Sequence, residues 1–547
     1  MKRMREIRKW CGLGLALALL NCSSEDKPPP LERWAWRPLV TSADGRLTGT
    51  PCPLTLLSAN VDCGELTVPE SRTGGSTRML RLPVIVIRSS SPLARTREPV
   101  VYLEGGPGGN AIQSVTSGFT IAFEPLVTER DLVVFDQRGT GYGLALTCPE
   151  LGGPGTNESL MGAAAATQAL TQLQSCRTRL SSIAHLDDYD SRENAADVDD
   201  LRSALGYAKW HLLGVSYGTR LALDVARYHA EGVSSVILDS VLPTQVDFAA
   251  TGAVNFKRAL DAMFQTCAAQ SDCALGYPNL ERVFYDLIDR LNAQPAPVGN
   301  RAGMSHQLTG SDVMSLIFNL SYSASAVAAV PEIISQLSEG DFSLFEGVVF
   351  GDPDPTAEST LSLGMYLSVV CSDYAPFASL EATLQAEKDL PPSVIAISGV
   401  TRILTQCKTW NVSPAAPEEH LAAASDVPTL LLSGFHDPVT PPEWASLAAT
   451  TLTHSQLLNF KNVAHGIISE ACAGPLMNTY WNDPSGDPSG QCRNRDISLQ
   501  FSVPQRRLAL TRLPPGITRA QSTAPEKSQQ DLIDVVNEAL ARRKLFP

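Results

Sequence analysis

The run WHLLGVSYGTRLALDVARYHA, residues 210–230, constrains the fold more than any other part of the chain. It begins as an apolar, strand-like segment and ends as a helix-like segment, with Gly214 and Gly218 on either side of Ser216. A serine between two glycines is typical of a sharp strand-to-helix turn, where larger side chains would collide with neighbouring backbone. We therefore predict that the turn exposes the Ser216 hydroxyl and places the Tyr217 amide at a helix N-terminus, where negative charge is stabilised.

Short apolar runs recur along the chain and predict a sheet that is buried on both faces. They lie at residues 78–90, 98–106, 131–139, 210–216, 233–241, 427–434 and 455–462. Helical patterns lie between them, at residues 191–207, 217–232 and 441–452. This alternation predicts an α/β fold with a mainly parallel central sheet flanked by helices. An antiparallel edge made of the first two runs is the alternative for that part of the sheet.

The chain of 547 residues is long enough for one large domain with insertions or for about two to three domains. Residues 243–426 are mostly helical in pattern and interrupt the alternation, so we expect a helical cap inserted before the strand that bears the acid. A final amphipathic helix is predicted over residues 526–544. The predicted organisation is a leader at 1–21, a tether at 22–45, a first core part at 46–242, the cap at 243–426 and a second core part at 427–547.

Residues 1–21 combine five basic residues with an apolar run and are typical of an export signal. The apolar run at residues 10–20 is too short to span a bilayer of roughly 30 Å. The sequence LLNC that ends at Cys22 resembles a bacterial lipobox, which predicts membrane attachment through a lipidated Cys22 in the cell envelope. Asn21 departs from the small residue that usually precedes this cysteine, so ordinary cleavage and secretion are the alternative.

The net charge of the chain and its cysteine content argue against several classes of ligand. The net charge of −14, which becomes more negative without the leader, gives no electrostatic reason to bind nucleic acid or anionic lipid. Apart from Cys11 and Cys22, ten cysteines remain, and an even number in an exported chain favours disulfides. We expect no metal, because the sequence has no CxxC and no metal-type histidine pair. Sequential pairing would join cysteines 52–63, 148–176, 267–273, 371–407 and 472–492, although other connectivities fit the same count.

Candidate partners for Ser216 follow it along the chain. Asp437 and His465 each come directly after a predicted strand, in the order Ser, Asp, His that this kind of serine turn requires. We predict that Asp437 orients His465, which takes the proton of Ser216 and later returns it to the leaving group. His436 is a rival base and Asp239 a rival acid, and a structural role is the more ordinary interpretation of both.

A glycine-rich stretch, LEGGPGGN at residues 103–110, follows another apolar strand. Glycines let backbone amides approach a substrate oxygen, so Gly106 is the candidate second oxyanion donor beside Tyr217. A tight Gly-Pro turn without a ligand is the alternative, but the position one strand before the DQRGTG motif favours an oxyanion loop. Within that motif, Asp136 and Arg138 are predicted to form a buried ion pair that supports the loop.

These motifs together resemble a known family. The chain is similar to the α/β-hydrolase superfamily and, within it, to the prolyl aminopeptidase and tripeptidyl aminopeptidase family of exported serine exopeptidases. The resemblance covers roughly residues 50–510, including a TAP-like segment at about residues 400–500. It implies hydrolysis of an amide bond near a free peptide N-terminus, through an acyl-enzyme on Ser216 and without a cofactor. It rests on GGPGG at 105–109, DQRGTG at 136–141, GVSYG at 214–218, Asp437 and His465.

Departures from the family concern substrate binding. Glu104 stands where many prolyl aminopeptidases have histidine, and no glutamate of the predicted cap matches the family's amine-binding motif. Glu104 and Asp373, followed by Glu332 and Glu346, are candidate ligands of a substrate amine, and an exposed or helix-facing carboxylate is the alternative for each.

Three classes of function fit the motifs, because a fold does not fix the substrate. An exopeptidase that acts on peptides comes first. A carboxylesterase or lipase with the same triad is the second class, and a non-catalytic binding protein is the third. An acidic group ready to bind an amine favours the peptidase, whereas an all-apolar pocket favours the esterase.

Overall fold

The computed structural model describes residues 36–52, 59–151, 163–299, 305–349, 361–398, 400–504, 507 and 531–537. The predicted leader, Cys22 and the tether up to residue 35 lie outside the described residues. Of the predicted final helix, residues 531–537 are described, and they are helical.

A mixed sheet forms the centre of the described part of the chain, and it has ten strands. Its order is β1-β3-β4-β6-β5-β7-β8-β11-β12, with β2 paired to β3. The predicted, mainly parallel α/β sheet is confirmed, since every pair from β6 through β5, β7, β8 and β11 to β12 is parallel. The strands are β1 (Trp36–Pro38), β2 (Leu47–Gly49), β3 (Asn60–Pro69), β4 (Met79–Arg88), β5 (Val100–Leu103), β6 (Leu132–Phe135), β7 (Trp210–Val215), β8 (Val233–Asp239), β11 (Thr429–Gly434) and β12 (Ser455–Phe460), and a separate hairpin contains β9 (Ala296–Gly299) and β10 (Ser305–Leu308).

The antiparallel edge differs from the alternative considered above. β4 is antiparallel to both β3 and β6, whereas β5 is parallel to both of its neighbours. The antiparallel part of the sheet therefore contains β2, β3 and β4, and the assignment of β5 to it is wrong. β3 carries Asp62, Gly64 and Glu65, which interrupt the apolar pattern that marks the other strands. Asp62 is satisfied by the Arg88 guanidinium, whose Nε donates to Oδ2 at 2.7 Å.

Helices cover both faces of the sheet, because successive strand residues point to opposite sides. One buried cluster joins the sheet to α2, α3, α4, α12, α15 and α16, and a second joins the other face to α1 and α17. The helices are α1 (Ala111–Ser117), α2 (Ala163–Ser181), α3 (Ser191–Ala204), α4 (Tyr217–Tyr228), α5 (Phe248–Ala269), α6 (Ser271–Gly276), α7 (Leu280–Ala293), α8 (Gly310–Leu320), α9 (Ala324–Val327), α10 (Val330–Ser338), α11 (Ser343–Val349), α12 (Leu363–Val369), α13 (Leu380–Glu387), α14 (Pro392–Ser398), α15 (Val400–Trp410), α16 (Pro442–Ala449) and α17 (Ala473–Asn482).

The helices between β8 and β11 divide between two clusters. Those from α5 to α11, together with α14 and the hairpin, surround an apolar core of their own. In contrast, α12 and α15 pack into the cluster beneath the sheet, where the Trp410 side chain is fully buried and donates to Ser368 at 3.0 Å. The cap that the sequence predicts over residues 243–426 thus contains one segment with a separate core and another that belongs to the main one.

Disulfides link neighbouring parts of the chain. All five sequential pairs are formed, namely Cys52–Cys63, Cys148–Cys176, Cys267–Cys273, Cys371–Cys407 and Cys472–Cys492. Such disulfides are typical of an extracellular or cell-envelope protein. In the part of the chain that the structure describes, no helix has both the length and the apolar character needed to cross a membrane.

Candidate active site

Ser216 lies at the corner between β7 and α4. Its backbone has φ 56° and ψ −123°, a conformation that a residue with a side chain rarely adopts, and its amide donates to Asp239 O at 3.0 Å. The flanking glycines are needed for close packing. A Cβ added at Gly214 would lie 2.2 Å from Gly218 O, and one added at Gly218 would lie 2.0 Å from Leu103 O. The sequence therefore forms this turn because small residues let the helix start directly against β5.

Asp437 and His465 form the hydrogen-bonded pair that the sequence predicts. His465 Nδ1 lies 2.8 Å from Asp437 Oδ2, and both side chains are fully buried. The turn after β11 supplies further donors to the carboxylate: the amides of Val439 and Thr440 reach Oδ1 at 2.9 and 2.8 Å, and the Thr440 hydroxyl reaches Oδ2 at 2.6 Å. Burial alone would raise the pKa of Asp437, but the charge of His465 and these hydrogen bonds outweigh it and hold the pKa below its usual value.

The second ring nitrogen of His465 is left for a proton-transfer role. His465 Nε2 is buried and has no hydrogen-bond partner among the described residues, so it forms no hydrogen bond with Ser216 here. The Tyr322 ring packs edge-on against the imidazole at 5.1 Å, and the His465 amide donates to Tyr322 O at 3.1 Å. A residue of the turn between α8 and α9 thus contacts the ring of the candidate base.

Asp239, the rival acid, joins the serine to the histidine from the end of β8. Its carbonyl accepts from the Ser216 amide, and its two carboxyl oxygens accept from the amides of Ile467 and Ile468 at 2.9 and 2.7 Å. Burial raises the pKa of Asp239 to about 6. The Asp239 carboxyl group binds the loop that follows His465, so we interpret Asp239 as a positioning residue. The hydrogen-bond partner of the imidazole is Asp437.

His436, the rival base, is not paired with the acid. Neither of its ring nitrogens has a hydrogen-bond partner in the described part of the chain, whereas the Asp437 carboxylate binds His465. Burial and the nearby charge of Arg258 lower the pKa of His436 to about 4. This imidazole therefore stays neutral near pH 7.

The glycine-rich loop after β5 has the backbone that its sequence predicts. Gly106 has φ +109°, a conformation that favours glycine, and an added Cβ would lie 2.9 Å from Gly108 N. Within the described residues, the amides of Gly106 and Tyr217 donate to no other group. Free amides are what an oxyanion site requires, and the assignment of these two as its donors stays a prediction.

Glu104 lies beneath this loop. Its side chain is fully buried, and Oε1 accepts from the Gly105 amide at 2.8 Å and from the Tyr102 hydroxyl at 3.3 Å. Burial raises the pKa of Glu104 to about 7. These contacts give Glu104 a role in holding the loop from inside, and its predicted contact with a substrate amine is untested.

Asp373 is also fully buried, close to the serine turn. Its Oδ2 accepts from the Ser191 amide at 3.1 Å, and the Ser191 hydroxyl lies 2.9 Å from the Tyr217 hydroxyl. Burial raises the pKa of Asp373 to about 6, and burial together with the charge of Asp373 raises that of Asp190 to about 7. Two interacting carboxyl groups therefore lie behind the residue that follows the nucleophile.

The predicted ion pair between Asp136 and Arg138 is wrong. Arg138 donates to both carboxylate oxygens of Asp197, at 2.7 and 2.8 Å. Asp136 accepts instead from the amides of Ile112 and Tyr142, at 3.0 and 2.8 Å. Ile112 lies in the first turn of α1, which follows the glycine-rich loop, so the Asp136 carboxylate supports the loop through the Ile112 amide and without a cation.

Sequence reasoning missed three residues that position the site. Thr440 follows Asp437 by three residues, a spacing typical of turns in which a side chain accepts from the backbone ahead of it. Tyr322 and Arg258 carry no comparable local signal, because they reach the site from distant helices. Arg258 on α5 donates to the carbonyls of Phe435 at 2.9 Å and of Asp437 at 2.5 Å.

Two groups in the described residues bring potential metal ligands together, and neither contains a triad residue. One is Cys148, Glu150 and Cys176, whose cysteines are joined in a disulfide and cannot act as thiolates. The other is Asp199, His229 and Glu231, which is partly exposed. Neither group gives a metal a role in the chemistry at Ser216.

The serine, the acid and the base leave the sheet at the carboxyl ends of parallel strands, which is the arrangement of the α/β hydrolases. Comparison with known families agrees with this class. Residues 98–329 match the family described as alpha/beta hydrolase fold, and residues 395–492 match the family described as TAP-like protein. The chain has the α/β-hydrolase fold, and its C-terminal part is similar to the TAP-like family.

Two named relatives align with most of the chain at low identity, and a third aligns with about a quarter of it. The serine protease Hip1 of Mycobacterium tuberculosis is 24% identical over 482 residues, which cover 81% of this chain and 89% of the relative. The tripeptidyl aminopeptidase of Streptomyces coelicolor is 24% identical over 447 residues, covering 77% of this chain and 80% of the relative. The proline iminopeptidase of Neisseria meningitidis is 27% identical over 143 residues, covering 26% of this chain and 32% of the relative.

Proposed function

We propose that this protein is a serine peptidase that cleaves amide bonds near the free N-terminus of peptides. The observation that carries the proposal is the buried Asp437–His465 hydrogen bond of 2.8 Å at the sheet edge where Ser216 follows β7. Relatives that share most of the chain's length are a serine protease and a tripeptidyl aminopeptidase, which supports peptides as substrates.

We propose one catalytic step for each of these residues. His465 Nε2 takes the Ser216 proton as Oγ attacks the scissile carbonyl, and Asp437 stabilises the imidazolium that forms. The amides of Gly106 and Tyr217 hold the negative oxygen of the tetrahedral intermediate. His465 then gives its proton to the leaving amine, which departs and leaves an acyl group on Ser216. A water molecule, deprotonated by the same imidazole, releases the acyl group and restores the serine.

The substrate amine needs an acidic partner, and we propose Asp373 with Asp190 for this role. One Asp373 oxygen, Oδ1, is buried without a hydrogen-bond partner among the described residues, and the pair lies behind Tyr217. An ammonium group near these two carboxyls would favour their ionised forms. We expect Asp373→Asn to raise KM for peptides with a free amine more than for acetylated ones, and equal effects on both would contradict this role.

Export is the natural setting for the disulfides, and we propose that the mature protein is attached to the cell envelope through a lipid on Cys22. The basic and apolar leader and the LLNC sequence support this proposal. Mass spectrometry of the mature N-terminus tests it directly. A diacylated Cys22 in the wild type and a soluble Cys22→Ala variant are expected, whereas an unmodified N-terminus at another residue would favour secretion.

A panel of chromogenic aminoacyl and tripeptidyl amides, measured beside short-chain esters, tests the proposed activity. We expect the wild type to cleave at least one amide and Ser216→Ala to lose at least about a thousandfold in kcat, because the nucleophile is removed. Cleavage of esters alone would favour the carboxylesterase alternative. Unchanged amide turnover in Ser216→Ala would exclude Ser216 as the nucleophile.

A further inference from the structure

Helix α5 contacts the turn that follows β11 through two side chains, one helical turn apart. The Asn255 amide group donates to the Val439 carbonyl at 3.0 Å. The Arg258 guanidinium donates to the carbonyls of Phe435 and Asp437, at 2.9 and 2.5 Å. Residues three apart on a helix lie on the same face, so the two side chains reach the turn together. Three alternate carbonyls of this turn are therefore held from one helix.

The hydrogen bond from Asn255 orients one of the donors to the candidate acid. The peptide unit between Val439 and Thr440 accepts from Asn255 through its carbonyl. The N–H of the same unit donates to Asp437 Oδ1 at 2.8 Å. In a planar trans peptide, the carbonyl and the N–H point in opposite directions. A carbonyl that is fixed on the α5 side therefore directs the N–H at the carboxylate.

The hydrogen bond from Arg258 to Phe435 acts in the same way on the loop that carries the candidate base. The Phe435 carbonyl belongs to the peptide unit whose N–H is that of His436. This N–H donates to the Val463 carbonyl at 3.0 Å, two residues before His465. The peptide unit thus connects α5 to the base loop, with one end bound to each. Both halves of the Asp437–His465 pair are therefore supported through peptide units that α5 holds.

We propose that Asn255 and Arg258, which we call the α5 clamp, are positioning residues that keep the Asp437 carboxylate in hydrogen-bond contact with the His465 imidazole. The proposal rests on the proposed peptidase function. It makes a helix of the predicted cap part of the structure that aligns the acid with the base. The hydrogen bonds of the clamp reach backbone carbonyls, so the clamp acts through the shape of the turn and its loss affects the chemical step more than substrate binding.

Substitutions that remove the donors test the clamp. Asn255→Leu keeps a similar volume without the amide, and Arg258→Met keeps an unbranched side chain without the guanidinium. Arg258 is only partly buried, so this variant tests the proposal even if the buried Asn255 position does not tolerate leucine. The matched controls lie elsewhere in the cap. Asn319→Leu on α8 removes an amide that donates within its own helix at 2.8 Å, and Arg290→Met on α7 removes a guanidinium that donates to the last carbonyl of α10 at 3.1 Å.

We expect each clamp variant to lower kcat for a chromogenic peptide amide about tenfold, with KM within about twofold of the wild type. The reason is that misplacement of catalytic groups by about 1 Å costs about a hundredfold in rate, and the loss of one clamp residue shifts the turn by less. Both controls should keep kcat and KM within about twofold of the wild type. Unchanged kcat in both clamp variants, or a rise in KM as large as the fall in kcat, would overturn the proposal.

A second measurement needs no substrate, so it separates this proposal from the proposed function. The proton between Asp437 and His465 lies in a charge-assisted hydrogen bond, and we expect it to give a low-field 1H NMR resonance in the intact protein. Both clamp variants should shift or broaden this resonance, and both controls should leave it unchanged. An unchanged resonance in both clamp variants would contradict the proposal. If the wild type cleaves no amide but the clamp variants move the resonance, the peptidase function fails and the positioning role of the clamp stands.

Discussion

Asp239 connects the turn of Ser216 to the loop that follows His465 through its own hydrogen bonds. Its carbonyl accepts from the Ser216 amide, and its carboxyl group accepts from the two amides that follow Gly466. The two loops are therefore held by one residue at the end of β8. A small shift of this residue would move the imidazole relative to the hydroxyl, and misplacement of about 1 Å can lower rates about a hundredfold.

Asp239→Asn tests this positioning role. The amide side chain keeps one acceptor oxygen but turns its NH2 toward one of the two loop amides, so one buried N–H loses its partner. We expect kcat to fall about tenfold or more, with KM changed less, because a buried donor without an acceptor costs about 1–3 kcal/mol. Asp62→Asn on β3, away from the site, is the control. Equal loss in the two variants would indicate a general effect on folding.

The raised pKa of the buried Glu104 carboxyl group predicts that the stability of the fold depends on pH. In the folded protein its carboxyl group keeps the proton up to a pKa of about 7, whereas its ordinary value is 4.5. Between these values the unfolded chain binds fewer protons than the folded one, so this group makes the fold less stable as pH rises from 4.5 to 7. The loss is on the order of 1.4 kcal/mol for each pKa unit.

Glu104→Gln removes this titration while keeping a similar shape. We expect the free energy of unfolding of the variant to depend less on pH than that of the wild type between pH 5 and pH 7, as measured by urea unfolding at several pH values. Asp62→Asn again serves as control. Parallel curves for wild type and Glu104→Gln would show that this carboxyl group does not titrate in that window.

The hydrogen bond between Asp437 and His465 agrees with the sequence prediction, and the role of these two residues with Ser216 as a catalytic triad stays a prediction that rests on local signals. Gly214, Ser216 and Gly218 define a turn within five residues, and Asp437 and His465 directly follow strands that the apolar pattern reveals. The partner of Arg138 could not be predicted in the same way. A buried guanidinium binds whichever carboxylate the tertiary packing brings near, and here that is Asp197, more than fifty residues away.

At the scale of elements, the capping helices contact the site at two points. Arg258 on α5 donates to carbonyls of the turn that carries Asp437, and Tyr322 after α8 packs on His465. Neither contact has a signal in its own helix, because the contacts depend on how α5 and α8 lie over the sheet edge. β3 was missed for a related reason: its polar residues are satisfied by neighbours that only the sheet provides.

The disulfide Cys371–Cys407 closes a loop of 36 residues between the end of α12 and α15. Both helices pack against the main core. The disulfide restricts the conformations that this segment can adopt in the unfolded chain, and this favours the folded state. Replacement of both cysteines by alanine is expected to lower the free energy of unfolding by about 3–4 kcal/mol. Removal of Cys267–Cys273, which closes only 6 residues, is the comparison and should cost less. Equal losses would contradict the loop-length argument.

At the scale of the whole molecule, function follows from the direction of the strands. β5, β7, β8, β11 and β12 are neighbours and parallel, so the glycine-rich loop, Ser216, Asp239, Asp437 and His465 all emerge at one edge. The fold class could be predicted because alternating strands and helices leave few other arrangements. The division of residues 243–426 between two cores could not be predicted, because apolar spacing in α12 and α15 indicates a buried face but not which core that face joins.

The proposed mechanism requires that Ser216 is the group that becomes acylated, with His465 as its base. Labelling with a fluorophosphonate probe, followed by peptide mapping, tests this directly. We expect a single adduct on Ser216 in the wild type, loss of the adduct in Ser216→Ala, and labelling slowed at least about a hundredfold in His465→Ala, because an unactivated serine is a weak nucleophile. An adduct on another residue, or undiminished labelling in His465→Ala, would contradict the account.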